Sequence, residues 1–274
     1  MKRAKRLAAI AGITVASCFV ALIPIVMIFE NRFIYFPARD GNWDLPKTTQ
    51  VPVEDVFFAA EDGVRLHGWF ARGKDAKWTL LWFHGNAGNI GDRFNTAIDF
   101  VDRLNVNVFI IDYRGYGRSE GSPGEKGLYL DATAAYRTLL DRGIPAGRIV
   151  LLGKSLGGAV AADLAARVPC AGVVLQSTFT SAPEMSKLVM PFFPARWFMR
   201  TKYDTLSKVK TIRAPKLFLH SRGDDIVPFR MAEELYAAAA EPKRRAWFDG
   251  SDHGILYVRR REWTEAIRSF LDSL

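Results

Sequence analysis

The sequence predicts an α/β fold with a mostly parallel central sheet and helices on both faces. Short apolar runs rich in β-branched and aromatic residues recur along the chain, and segments of helical spacing alternate with them. One run, Ile149–Gly153, breaks at Gly153-Lys154-Ser155-Leu156-Gly157 and gives way to Ala-rich helical sequence. The 274 residues, 49 % of them apolar, supply one large core rather than several small ones.

The chain opens on Lys2, Arg3, Lys5 and Arg6, then runs uncharged from Leu7 to Phe29. As a helix those 23 residues reach about 34 Å, enough for a bilayer core with modest tilt, with Pro24 as a kink. Residues 1–29 are therefore expected to anchor the chain in a membrane. The preceding positive charge keeps the N-terminus cytoplasmic and places the rest on the far side, the periplasmic face of an inner membrane in a bacterium. Two alternatives stand beside it: a lipoprotein processed before Cys18 in Val15-Ala16-Ser17-Cys18, and a cleaved secretory signal. Against the lipoprotein, the chain stays apolar from Phe19 to Phe29.

Residues 30–52, with Pro37, Pro46 and Pro52, read as a linker whose Asn31–Phe36 stretch packs onto the α/β domain of residues 53–274. Within that domain, runs at 53–58 and 64–70 flank Glu61-Asp62-Gly63, a hairpin signal. Further strands are expected near 78–83, 106–111, 148–153, 172–176, 215–220 and 244–248. Helices are expected near 92–104, 127–142, 156–167, 229–240 and 255–272. Residues 177–214 fall between two late strands as a short cap insertion. Met185, Leu188, Val189, Met190, Phe192, Phe193, Trp197, Phe198 and Met199 suit either packing on the core or an acyl-binding wall.

The strand, sharp turn and helix around Ser155 would lift its hydroxyl above the sheet, with Gly153 and Gly157 allowing strand and helix to touch. A hydroxyl needs a base, and the base an orienting acid. Of the four histidines, His67, His84, His220 and His253, only His253 follows the later strands in a loop, Asp249–Gly254. The acid belongs between Ser155 and His253. Asp224 and Asp225 both follow the run Pro215–His220, and spacing leaves both open; one of them is explained by the dipole of a helix starting near Pro228. An oxyanion would need two N–H donors: Leu156 beyond the serine, and Asn86, or its neighbour Ala87, in His84-Gly85-Asn86-Ala87-Gly88-Asn89. His84 itself fits a structural role under the turn, and Asp112–Gly117 a loop flanking the cleft.

The net charge of +9 reflects 38 Lys and Arg against 29 Asp and Glu. Aromatics lie in strand-like runs rather than among the basic residues, which favours an anionic lipid surface over nucleic acid as the basic face's neighbour. Cys18 and Cys170 are too few for a disulfide framework and lack metal-ligand spacing, so neither metal nor cofactor is expected.

Five stretches together resemble the α/β-hydrolase superfamily over roughly residues 50–274, and within it the membrane-anchored abhydrolase domain-containing thirteen and seventeen branch with its bacterial relatives. They are Asn31–Pro37 (NRFIYFP), His84–Asn89 (HGNAGN), Asp112–Gly121 (DYRGYGRSEG), Gly153–Val160 (GKSLGGAV) and His220–Pro228. The resemblance implies an N-terminal anchor, a short cap and a triad in the order Ser155, Asp224, His253, because the family's acid is the first of the two aspartates. It also implies cleavage of a carboxylic ester or thioester in a small-molecule or lipid-like acyl substrate, without cofactor. Lys154 stands where relatives often carry Arg, and Ser221-Arg222 where the strand end often reads Gly plus an acid. The alternative expectations are a serine peptidase of the same fold, or a non-catalytic membrane-tethered binding protein on this scaffold.

Overall fold

The computed structural model describes residues 2–41, 50–191, 195–250, 253–254 and 259–274. Expectations placed on the Cys18 side chain, Pro46, Phe192, Phe193, Asp252 and residues 255–258 lie outside them.

An eight-stranded sheet forms the centre, in the order β10-β9-β8-β7-β4-β6-β3-β2. Its strands are β2 (Val53–Ala59), β3 (Arg65–Ala71), β4 (Thr79–Phe83), β6 (Asn107–Asp112), β7 (Ile149–Lys154), β8 (Gly172–Gln176), β9 (Lys216–Ser221) and β10 (Lys243–Phe248). Only β3 runs antiparallel to its neighbours; the remaining pairs are parallel.

The period-2 alternation of each strand divides its apolar side chains between two cores. Leu81, Phe83, Phe109, Ile111 and Leu151 point to one face. Leu80, Trp82, Val108, Ile110, Val150 and Leu152 point to the other. The first face is covered by α3 (Glu125–Asp141), α4 (Leu156–Ala165) and α8 (Phe229–Ala238). The second is covered by α2 (Phe94–Leu104) and α9 (Arg260–Leu271), where Phe100 and Trp263 stack with centroids 4.7 Å apart. The strands and helices expected from the sequence are thus present within a few residues of their expected ends, the helix expected over 255–272 being described from Arg260 on.

Among its described residues the insertion 177–214 carries three short helices, α5 (Ala182–Val189), α6 (Ala195–Phe198) and α7 (Thr205–Val209). At the N-terminus, α1 (Lys2–Ile34) continues past the uncharged stretch and through Glu30–Ile34, residues expected to lie in the linker. The reason is tertiary: its last turns are held by the cap and by the loop after β4. Among the described residues no helix is long and apolar enough to cross a membrane, so the fold itself does not establish the anchor expected of residues 1–29. Two short strands complete the fold: β1 (Phe36–Pro37) pairs in parallel with β5 (Ala87–Gly88).

The chain passes from β4 to β6 in one direction and then returns to β7 on the other side of β4. Ligands of open α/β sheets bind beyond the carboxyl ends of the strands at such a switch point. The close approach of α4 to β7 and β4 there depends on two glycines. A Cβ on Gly153 would overlap the Gly157 carbonyl, and one on Gly157 would overlap the Phe83 carbonyl. Both obstacles are backbone and cannot swing aside. Gly157→Ala should therefore destabilise the protein by about 1–3 kcal/mol or more, read as a lowered urea midpoint; an unchanged midpoint would show that the strand and helix are free to separate.

Candidate active site

Ser155 sits between β7 and α4 with φ 54° and ψ −119°, a backbone conformation that L-residues rarely adopt. Its surroundings hold it there. The Ser155 N–H donates to the Gln176 carbonyl at 2.9 Å. Its own carbonyl accepts from the Gly158 N–H at 2.9 Å and from the Thr178 hydroxyl at 2.8 Å. Gln176 is fixed in turn by the Trp263 indole N–H, 2.9 Å from its side-chain oxygen. Strain of this kind persists only where neighbouring structure over-determines it.

His253 and Ser155 line the same cavity of about 240 Å³, together with Gly85, Asn86, Arg93 and Lys154. The His253 Nδ1 lies 2.9 Å from one Asp224 carboxylate oxygen and 3.1 Å from the other. A carboxylate only accepts, so this contact calls for a ring proton on Nδ1. The Asp224 side chain is buried. Burial works to raise its pKa, but the His253 bond and the Val227 N–H outweigh it and hold the carboxyl below the ordinary range. The Ile226 N–H also donates to it, at 3.0 Å.

Asp225 accepts the His253 backbone N–H at 3.4 Å rather than standing at the start of α8, which begins at Phe229. The helix-dipole explanation given to one of the two aspartates therefore does not describe it. His220 is buried, its Nε2 2.9 Å from the Val227 carbonyl and 3.3 Å from Asp224. Burial lowers its pKa, leaving a neutral ring that props the Asp224 loop.

The backbone N–H groups of Asn86 and Leu156 belong to residues that border Ser155: both line a second, larger cavity with it. The Asn86 segment is fastened from three sides that local sequence did not reveal. The Phe36 N–H donates to the Asn86 carbonyl at 3.0 Å, and the Asn86 side-chain amide donates to the Ile34 carbonyl at 2.9 Å. The Tyr116 hydroxyl donates to the same Asn86 carbonyl at 2.8 Å, and that of Tyr113 to the His84 carbonyl at 2.8 Å. The loop after β6 thus underpins the loop after β4, while Arg114 is clamped between Asp62 and Asp131. The only sequence signal for this was the NRFIYFP stretch itself. His84 is fully buried between the Tyr113 and Tyr116 rings, and burial drives its pKa well below the usual value. A neutral packed imidazole suits the structural role read from the sequence.

The second cavity, about 530 Å³, shares Asn86, Ser155 and Ile226 with the first. Its walls are α1 (Val26, Glu30, Phe33, Ile34), the cap (among others Phe179, Met185 and Met190) and Ser155 itself. Among the described residues no group of three or more His, Cys, Asp and Glu is arranged to hold a metal ion. His67, between Asp55 at 2.7 Å and Asp112 at 3.4 Å, belongs to the sheet's far side rather than to either cavity.

A family model described as serine aminopeptidase, S33, matches residues 74–209. The chain is 35 % identical over 278 residues to the uncharacterized protein Rv2307c of Mycobacterium tuberculosis, covering 99 % of this chain and 96 % of that protein. It is 32 % identical over 245 residues to the alpha/beta hydrolase domain-containing protein 17B of Homo sapiens, covering 88 % of this chain and 83 % of that one. Among solved structures, the esterase Pf2001 of Pyrococcus furiosus superposes with a TM-score of 0.75 at 22 % identity, over 88 % of this chain and 97 % of that one. The strained serine between β7 and α4, the parallel sheet and these relatives agree: the chain belongs to the α/β-hydrolase family.

Proposed function

We propose that this chain is a membrane-anchored serine hydrolase that cleaves carboxylic ester or thioester bonds through an acyl-enzyme on Ser155. The observation that carries the reading is the coincidence, at one strained serine, of an Asp224–His253 pair and two cavities, the larger of them the more strongly apolar. His253 Nε2 takes the Ser155 proton as Oγ attacks the acyl carbonyl, and Asp224 steadies the imidazolium that forms. The N–H groups of Asn86 and Leu156 receive the developing oxyanion. The proton then passes to the leaving alkoxide or thiolate, and a water activated by the same histidine releases the acid. The apolar cavity suits the acyl chain. The smaller one, with Arg93, Lys154 and Gln176 among its lining residues, suits a polar leaving group.

A serine peptidase is the second reading, because the matching family model carries that description. An aminopeptidase needs a carboxylate free to meet the substrate's ammonium group. Glu30 is the acid in the larger cavity, and its two oxygens already accept the Arg200 and Thr201 N–H groups. That engagement favours the ester reading.

The anchor is supported by the uncharged stretch Leu7–Phe29, by its continuity with one helix, and by the exposure of Leu7, Ile10, Ile13, Ile25 and Ile28. Exposed apolar side chains of this density along a helix match lipid better than water.

With a fluorophosphonate probe the full-length protein should label, and Ser155→Ala should lose both label and turnover; labelling of the variant, or no labelling of folded wild type, would favour the binding-protein reading. Asp224→Asn should lower kcat by about 10³–10⁴-fold and Asp225→Asn by less than about tenfold; the reverse ranking would move the acid by one residue. 4-Nitrophenyl esters should be turned over and aminoacyl 4-nitroanilides should not; the opposite preference would install the peptidase. Expressed in a bacterium, the chain should stay with membranes through an alkaline carbonate wash, and protease added to spheroplasts should digest the hydrolase domain. Release by carbonate would remove the anchor.

A further inference from the structure

The larger cavity is not closed by the hydrolase domain alone. One wall is the last turns of α1, which present Val26, Glu30, Phe33 and Ile34 towards Ser155. We propose that this part of α1 is a specificity-determining wall of the acyl subsite, taking an aliphatic acyl chain along the helix; the inference rests on the serine-hydrolase reading above and assigns the chain-length choice of that same site.

Three observations carry it. First, the cavity is continuous with the reacting centre, since Ser155, Leu156 and Asn86 lie in its lining. At about 530 Å³ it falls within the size range of ligand pockets. Second, its chemistry excludes a charged occupant. Glu30 is the one charged residue among its described lining residues, and its carboxylate faces backbone rather than space: it accepts the Thr201 N–H at 2.7 Å and the Arg200 N–H at 3.0 Å. Such a group costs free energy when buried unless it is satisfied in this way. What remains for an occupant to touch is mainly Val, Ile, Leu, Phe and Met; the hydroxyls of Ser186 and Tyr203 are already bonded to the Pro183 carbonyl and to Tyr35, and Met185, Met190 and Met199 adapt to a flexible chain.

Third, the wall is fixed rather than loosely apposed. Glu30 ties α1 to the segment after α6, and the Asn31 amide donates to the Pro123 carbonyl at 3.0 Å. The Tyr35 and Tyr203 hydroxyls meet at 2.7 Å in a buried contact. Directly after Tyr35, β1 pairs with the loop that holds Asn86. The helix end therefore keeps a constant distance from Ser155, which a wall that measures chain length requires. A single methylene in an apolar pocket is worth about 10- to 200-fold in discrimination, so a bulky residue on this wall should be felt strongly.

The test uses full-length protein in detergent micelles and 4-nitrophenyl esters from acetate to palmitate. Val26→Trp, which projects into the cavity, should lower the ratio of kcat/KM for dodecanoate over acetate by about tenfold or more. Val26→Ala, which preserves helix propensity and enlarges the cavity, should move the optimum to longer chains. Ile28→Trp, on an exposed position of the same helix outside the cavity lining, should leave the ratio within about twofold of wild type. An unchanged ratio in both Val26 variants, with Ser155 still labelled by fluorophosphonate and short esters still hydrolysed, would overturn the wall and leave the hydrolase standing. The wall would also fall if Ile28→Trp shifted the ratio as much as Val26→Trp. Absence of both label and turnover in wild type would remove the hydrolase reading and the wall with it.

Discussion

Everything at this site depends on how closely α4 approaches β7 and β4. Gly153 and Gly157 leave no room for a side chain, so the turn between strand and helix is forced tight and Ser155 is carried into its positive-φ conformation. The bonds from Gln176, Thr178 and Gly158 then hold the backbone where the close packing put it. The buried apolar contacts of α4 against the sheet supply the free energy that keeps the strain in place.

Around that serine, polar groups are distributed by their surroundings. Asp224 is buried but stays anionic because His253 and the backbone of Ile226 and Val227 bond to it. Two other histidines nearby, His84 and His220, lose basicity because burial outweighs their neighbours, even for His220 with Asp224 beside it. Three imidazoles of one chemical type thus divide into two buried groups, His84 and His220, and one, His253, that is held by Asp224 and lines the cavity with Ser155. Environment, rather than residue type, makes that division.

The N-terminal segment is built into the site rather than appended to it. Ile34 and Phe36 bond to Asn86, β1 pairs with β5, and α1 lines the apolar cavity. The stretch Asn31–Phe36, expected to pack onto the domain, does so at the loop that carries Asn86.

Much of this was legible in the sequence. The strands showed as β-branched runs, the helices as spacing, and the elbow as glycines two residues either side of Ser155, because each of these signals is local and set by backbone sterics. Spacing alone could not separate Asp224 from Asp225 as the partner of His253; only the family resemblance pointed to Asp224, whose carboxylate the structure places against the imidazole. Their separation is an orientation: one carboxylate points into the protein at the imidazole, while its neighbour reaches the His253 backbone. The fastening of Asn86 by Tyr116, Phe36 and Ile34, the two-residue strands β1 and β5, and the wall that α1 contributes were decided only by tertiary structure. Each joins residues far apart in the chain through one or two hydrogen bonds or a few apolar contacts, and such pairs leave no periodicity for a sequence to carry.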